Sequence, residues 1–330
     1  MKLSEWGELA LIEEIKRRVS YSSDVLIGIG DDTAQIDVSA NKSLLITTDT
    51  FSENIHFTTG LFTAYQIGYK LVASNVSDIY SMAARPCYLL LNMTVPGELD
   101  KDFMLEFLDG INRAIKQYGL QLIGGDVTSA DKAMTFTATL IGIPQNRVIR
   151  RDGAQVGDGI YLSGPTGEAA CGHELLKRLS MPVKVESDEL PDLPLKRDSM
   201  LRVLKRFLLP DIEPVKDAHN IHSMIDVSDG LFIDLRRLCD ASGVGAILYE
   251  RDIPVSDAIK EVAGFLQIDP YRLITSGGED YVLLFTAPKG LNGYYQIGEI
   301  IDEPSVKIER TDGSIENIGY EGYEHFVHKG

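Results

Sequence analysis

Two hydrophobic periods alternate along the chain and mark out its elements. VLIGIGDD (25–32), SLLITTDT (43–50), CYLLLNMTV (87–95), LQLIG (120–124) and MTFTATLIGI (134–143) are short apolar or alternating runs that predict strands. TAYQIGYKLVASNVSDIYSMAAR (63–85) has helical spacing and predicts a long helix stopped before Pro86, and a second helix is expected from about Lys101 to Gln117, ending at Gly119. At the start, Leu9, Ile12 and Ile15 behind a capping Ser4 predict a short amphipathic helix. The pattern lapses in PQNRVIRRDGAQVGD (144–158), which places a domain boundary near residue 147 and divides the chain into 1–147 and 148–330. The second half predicts a strand at 159–163, helices near 167–179 and 197–208, a strand at 222–227, a helix at 230–242, and strands near 281–286, 294–301 and 306–310. VKVESDELPDLPLKRDS (183–199) reads as an exposed loop.

Composition narrows the possible functions. The 330 residues, 44% hydrophobic, are enough for two packed domains. Forty-nine acidic residues against 32 basic ones give a net charge of −17, which disfavours nucleic acid or an anionic membrane as a partner and means that phosphates would need metal to be held. Cys87, Cys171 and Cys239 are far apart with no CxxC spacing, so neither a disulfide framework nor a thiolate zinc site is expected, and a reducing cytoplasm fits. Glu5, Glu8, Glu13 and Glu14 interrupt what would have to be a signal core, and no later run approaches the roughly 18 apolar residues of a spanning helix.

Candidate chemistry lies where apolar runs meet carboxylates: Gly30-Asp31-Asp32, Thr47-Thr48-Asp49, Asn75 to Asp78, Gly124-Gly125-Asp126, Asp226-Val227-Ser228-Asp229-Gly230 and Gly278-Glu279-Asp280. Each alone reads as a turn or cap. Asn75 and Asp78, however, fall on the apolar stripe Leu71, Asn75, Asp78, Met82, where a turn role is excluded. Oxygen donors without His or Cys point to Mg²⁺ or Mn²⁺. His56 follows the TTDTFSEN run closely enough to reach the same cleft, whereas the other histidines make no metal spacing. No GxxxxGK[ST] or HRD/DFG set occurs, and the incipient Gly28-Ile29-Gly30 loop runs into Asp31-Asp32, which would repel a pyrophosphate.

In order, GIGDD, TTDTFSENIHF, NVSDIYSMAARP, LIGGDVTS, IDVSDGL and SGGEDY resemble the thiamine-monophosphate kinases, within the superfamily of aminoimidazole ribonucleotide synthetase; the resemblance runs from SEWGEL to GYEHF. It implies an α/β fold of two domains: an N-terminal domain whose mixed sheet joins that of a second subunit in a homodimer, and a larger α/β C-terminal domain, with ATP between them. The implied reaction moves the γ-phosphoryl of ATP onto thiamine phosphate with several Mg²⁺ ions. Asp32, Thr47, Thr48, Asp49, Asp78, Asp126, Asp226 and Asp229 would be metal ligands, with Asp78, Asp49 and Arg151 closest to catalysis. Gly125, Asp126, Ser228 and Arg151 would meet the nucleotide, and His56, Glu279 and Tyr323 the thiamine phosphate. Leu108 departs from the family, where an aromatic expected to pack on adenine is common. The competing expectations are an ATP-dependent synthetase of the aminoimidazole ribonucleotide type and a non-catalytic divalent-metal protein. A selenophosphate synthetase would want an early Cys and a hydrogenase-maturation relative a C-terminal one, and neither is present.

Overall fold

A computed structural model describes residues 2, 5, 8–27, 35–37, 43–187, 189–320 and 322–323. Ser4, Asp31, Asp32 and most of GYEHF lie outside the described residues. The chain divides into two compact units, residues 1–80, 84–146 and 180–184 in the first and 81–83, 147–179 and 185–330 in the second.

Unit one opens with α1 (Glu8–Arg18), a hairpin of β1 (Val25–Ile27) and β2 (Gln35–Ile36), then β3 (Leu45–Ser52) and α2 (Ala64–Ser81). β4 (Ala84–Pro96), α3 (Lys101–Tyr118), β5 (Gln121–Ala130) and β6 (Thr135–Pro144) follow. The sheet order is β3-β6-β4-β5, antiparallel except for the β4–β5 pair, which α3 connects as a crossover. α2 ends earlier than its apolar pattern suggests. Ala83 takes φ 55°, which turns the chain into β4, and Pro86 sits at a register shift where no ladder donor is needed. α3 ends as expected at Gly119, φ 67°. α2 and α3 cross closely: a Cβ on Gly110 would lie 1.9 Å from Tyr65 O, and one on Gly68 2.2 Å from Phe107 O. Phe107 stacks on Phe136 at 4.2 Å, in a core that includes Leu71, Leu89, Met93 and Met104. Part of the other sheet face packs Tyr88, Leu90 and Ile141 against Val25 and Ile36 of the β1–β2 hairpin; the rest of that face is open and rich in threonine, with Thr48 bonded to Thr139 and Thr50 to Thr137.

Unit two is built on a seven-stranded sheet. Its strands are β7 (Gly159–Leu162), β8 (Ser223–Asp226), β9 (Gly245–Tyr249), β10 (Leu283–Ala287), β11 (Tyr295–Ile301), β12 (Val306–Glu309) and β13 (Ile315–Asn317), ordered β13-β12-β9-β11-β7-β10-β8. Its helices are α4 (Glu168–Leu179), α5 (Arg197–Leu208), α6 (Leu231–Ser242), α7 (Asp257–Leu266) and α8 (Pro270–Ser276). β7, β8 and β10 are fully buried along their length, as a central, two-sided sheet requires. The 183–199 stretch is less of a free loop than its charge suggests. Val183 and Val185 are buried, a 3-10 turn forms at Val185–Ser187, and Val183 O accepts from Gln66 Nε2 at 2.7 Å.

Candidate functional site

On unit one, strand alternation decides which residues of Thr47-Thr48-Asp49 can act together. Thr47, Asp49 and Phe51 point to the helix-covered face, and Thr47 Oγ1 donates to Asp78 Oδ2 on α2 at 2.6 Å. Thr48 points the other way, its hydroxyl donating to Ala138 O at 3.1 Å and meeting Thr139 Oγ1 at 3.0 Å. Its side chain is therefore not brought to Asp78. Asn75, one turn before Asp78, is wholly buried; its amide nitrogen donates to Leu71 O, and its Oδ1 has no hydrogen-bond partner. His56 packs back on the strand end, its ring stacked on Phe51 at 5.5 Å and its Nδ1 accepting from Ser52 N at 3.1 Å.

Asp126 stands elsewhere on this unit. The register aligns Asp126 with Asn92, Thr137 and Thr50 on the open face, whereas Asp49 aligns with Ala138 and Leu91 on the covered one. Three strand spacings, about 14 Å, also separate β3 from β5, so Asp49 and Asp126 of one chain do not converge. Gly125 is required by packing: a Cβ there would fall 1.9 Å from Leu91 O. Leu108 is buried on α3 and offers almost no surface to a base.

On unit two the chain folds three segments around one turn. Asp226 is the buried last residue of β8, and Val227 to Gly230 lead into α6. Glu279 N donates to Ser228 O at 2.7 Å, Tyr281 N to Val227 O at 2.9 Å and Tyr323 N to Asp229 O at 3.0 Å. Three backbone bonds thus bring Ser228, Asp229, Glu279 and Tyr323 together, although they span nearly a hundred residues. Glu279 and Tyr281 hold positive φ values of 65° and 51°, a strained backbone at the turn that presents the acid. Arg151 begins an exposed 3-10 turn, and its carbonyl accepts from Ser242 Oγ, at the end of α6, at 2.7 Å.

Three charged residues organise this unit: Asp234 and Arg237, which the sequence reading missed, and Asp280, which it named only within the Gly278-Glu279-Asp280 run. Asp234 Oδ2 accepts from Ser228 N, Asp229 N and Gly230 N at 3.1, 3.0 and 3.2 Å, filling the anion position at the start of α6. Burial pushes its carboxyl up to about 6, against the pull of those donors and of Arg237. Arg237 Nη1 donates to Asp234 Oδ1 at 2.8 Å and also to Asp229 Oδ2. Asp280 does the same service for α4, accepting from Gly167 N and, at 2.9 Å, from Ala169 N; its complete burial raises it to about 7. The usable signals were the i, i+3 spacing of Asp234 and Arg237 and the acid next to Glu279.

The donor chemistry fits a hard divalent cation. Thr47, Asp49 and Asp78 on one unit and Asp226 and Asp229 on the other offer only oxygen, and the unsatisfied Asn75 Oδ1 adds a further acceptor beside Asp78. Among the described residues no three His, Cys, Asp or Glu side chains are grouped closely enough to hold a metal ion by themselves.

Comparison with known proteins matches residues 30–144 to the AIR synthase related protein, N-terminal domain, and residues 155–310 to the corresponding C-terminal domain. The chain is 34% identical over 338 residues to the thiamine-monophosphate kinase of Escherichia coli (strain K12), covering 97% of this chain and 98% of that one. The crystal structure of thiamine-monophosphate kinase from Stenotrophomonas maltophilia K279a superposes with a TM-score of 0.80 at 31% identity, covering 95% of this chain and 98% of that one. A solved structure of AaThiL complexed with AMPPCP and TMP gives a TM-score of 0.75 at 29% identity, covering 99% of each chain.

Proposed function

Since the chain belongs to the thiamine-monophosphate kinase family, a branch of the AIR synthase related proteins with two α/β domains, we propose that it transfers the γ-phosphoryl group of ATP to thiamine phosphate, releasing ADP and thiamine diphosphate. The reading rests on one observation: a full-length match whose motif residues are held by the fold, with Thr47 bonded to Asp78 and with Ser228, Asp229, Glu279 and Tyr323 drawn to one turn.

The chemistry asks for charge management more than for proton transfer. A phosphate acceptor is already ionised at neutral pH, so no side chain has to act as general base. The barrier is repulsion: two unit charges about 4 Å apart cost roughly 4 kcal/mol at an effective dielectric near 20, and each phosphate carries more than one. When bound, Mg²⁺ would supply positive charge that offsets this repulsion. Asp32, Thr47, Asp49, Asp78, Asp126, Asp226 and Asp229 would hold the ions. Thr48 would contribute without its hydroxyl, which is engaged on the sheet. Asp78, fixed by Thr47, and Asp49 would sit nearest the transferring group, and Arg151 would add a permanent positive charge to it.

Gly125, Asp126 and Ser228 would meet the nucleotide. His56, Glu279 and Tyr323 would receive thiamine phosphate, the acid facing the cationic thiazolium and the aromatic rings offering a stacking surface. The open face of the four-stranded sheet, with its ladder of threonines and the exposed Ile46, supports a homodimer formed through that face; Thr48 and Asp126 both lie on it. No helix among the described residues is long and apolar enough to cross a membrane, and three buried cysteines, none of them in a disulfide, support a cytoplasmic location.

The test is turnover with Mg·ATP and either thiamine phosphate or formylglycinamidine ribonucleotide. ADP and thiamine diphosphate should appear with the first only. ADP with the second alone would identify an aminoimidazole-type synthetase, and none with either would leave a metal-binding protein.

A further inference from the structure

The turn after β8 carries a cation of its own. Ser228, Asp229 and Gly230 present three successive N–H groups at the start of α6, an arrangement that ordinarily receives an external anion. Here the anion is internal. Asp234 takes all three with one oxygen and binds Arg237 Nη1 with the other at 2.8 Å. The same Nη1 also bonds Asp229 Oδ2, so one guanidinium nitrogen ties the buried carboxylate to the carboxylate of the turn.

The two acids differ in what reaches them. The Asp234 side chain is 1% exposed, whereas Asp229 keeps 29% and Arg237 36%. Asp234 therefore belongs to the framework of the turn, while the pair Asp229–Arg237 is open to exchange with ions from solvent. Two carboxylates around one guanidinium leave the cluster with a net negative charge that a further cation would offset.

We propose that Arg237 is a placeholder cation for Asp229. It neutralises Asp229 and keeps that side chain folded against α6, and it competes with a divalent cation for Asp229 Oδ2. The inference builds on the reading of Asp229 as a metal ligand. It makes Arg237 a positioning residue, one that sets how readily this carboxylate is given up, and Asp234 the fixed post to which the guanidinium remains tied.

Mn²⁺ alone, titrated into the full chain without nucleotide and followed by electron paramagnetic resonance of the free ion, tests it. Arg237→Gln removes the charge, and coupling between two competing cations of the usual size predicts Mn²⁺ binding about tenfold tighter than in the wild type. The variant should melt at a lower temperature in EDTA and regain more than the wild type on adding Mn²⁺. Arg237→Lys, which keeps the charge, should restore wild-type behaviour, and Asp229→Asn in either background should abolish the difference. Unchanged or weaker Mn²⁺ binding by Arg237→Gln, with Asp229→Asn still weakening it, overturns the placeholder role and leaves Asp229 a ligand. Unchanged binding in Asp229→Asn overturns both. A readout on the wild type covers a variant that does not fold: the Arg237 Nε–H resonance, assigned by its loss in Arg237→Lys, should shift on saturation with Mg²⁺, and a resonance that stays put refutes the proposal.

Discussion

Asp280 offers a direct test of how unit two closes its helix ends. The side chain is completely buried, accepts from the first amides of α4 and lies near Arg206, yet loss of hydration outweighs those attractions and lifts its carboxyl from 3.8 to about 7. At about 1.4 kcal/mol per unit, that rise corresponds to roughly 4 kcal/mol. The sign follows from proton counting. Between the two values the folded state holds a proton that the unfolded chain has lost, so raising the pH favours unfolding until the folded carboxyl also ionises. The stability from this group is full below about pH 4 and lost by about pH 7, with about 3 kcal/mol of the change falling above pH 5. Asp280→Asn removes the titration but keeps one acceptor, its amide facing a backbone donor at a pH-independent cost of about 1–3 kcal/mol. Urea unfolding of both proteins across pH 5–8 should therefore show the wild-type advantage shrinking by about 3 kcal/mol as pH rises, all other groups cancelling in the difference. A gap constant to within about 1 kcal/mol would refute the argument and mean that the helix amides and Arg206 keep Asp280 ionised throughout.

Asp78→Asn should lower kcat by about 100-fold or more at saturating Mg²⁺, the scale seen when a group stabilising transition-state charge is removed; near-normal turnover would remove Asp78 from the catalytic set. Gly125→Ala must push β5 off β4, because its Cβ would sit 1.9 Å from Leu91 O, and should cost at least about 2 kcal/mol in denaturant unfolding. The thiols of Cys171 and Cys239 are pushed up to about 12 by burial and Cys87 is buried too, so a thiol reagent at pH 8 should leave the native chain unlabelled for many minutes and modify all three cysteines in urea. Tyr323, about half exposed, should act through binding: Tyr323→Ala is expected to raise KM for thiamine phosphate several-fold with KM for ATP unchanged, and equal affinity would reduce it to a packing residue.

Where a single period governed a segment, the chain was readable. The strand alternation of LITTDTFS, the stripe that puts Asn75 and Asp78 on the inner side of α2, and the glycine stop of α3 all appear in the fold. The same alternation already implied that Thr47 and Thr48 face opposite ways; reading TTDT as one run of oxygen donors overlooked it. β9, α7 and α8 were missed because their apolar runs are short and only tertiary packing selects strand over helix there. Val183 and Val185 were hidden in a charged stretch, yet two small apolar side chains suffice to pin it. The clasp of Glu279 and Tyr323 on the Ser228–Asp229 turn consists of backbone bonds across long sequence separations, and no local pattern encodes those.

Filled helix ends also constrain how an acidic protein can take two phosphate compounds. The segments GPTG before α4 and DVSDG before α6 look like phosphate loops, and the amides they expose would be the cheapest way to bind an anion. Both are already satisfied by internal carboxylates, Asp280 and Asp234, each buried and each anchored by two or three N–H donors. An incoming phosphate would have to displace a buried side chain already held in place by those donors, so these amides serve the fold rather than the nucleotide. With a net charge of −17 spread over the chain, the proposed function would leave attraction for polyphosphate to discrete cations: Arg151 in its exposed turn and the divalent ions that the remaining carboxylates would hold. Nucleotide affinity should accordingly follow divalent-cation concentration far more steeply than in a protein that cradles phosphate with helix amides. It is the same division of labour that leaves Arg237 guarding Asp229 until such an ion arrives.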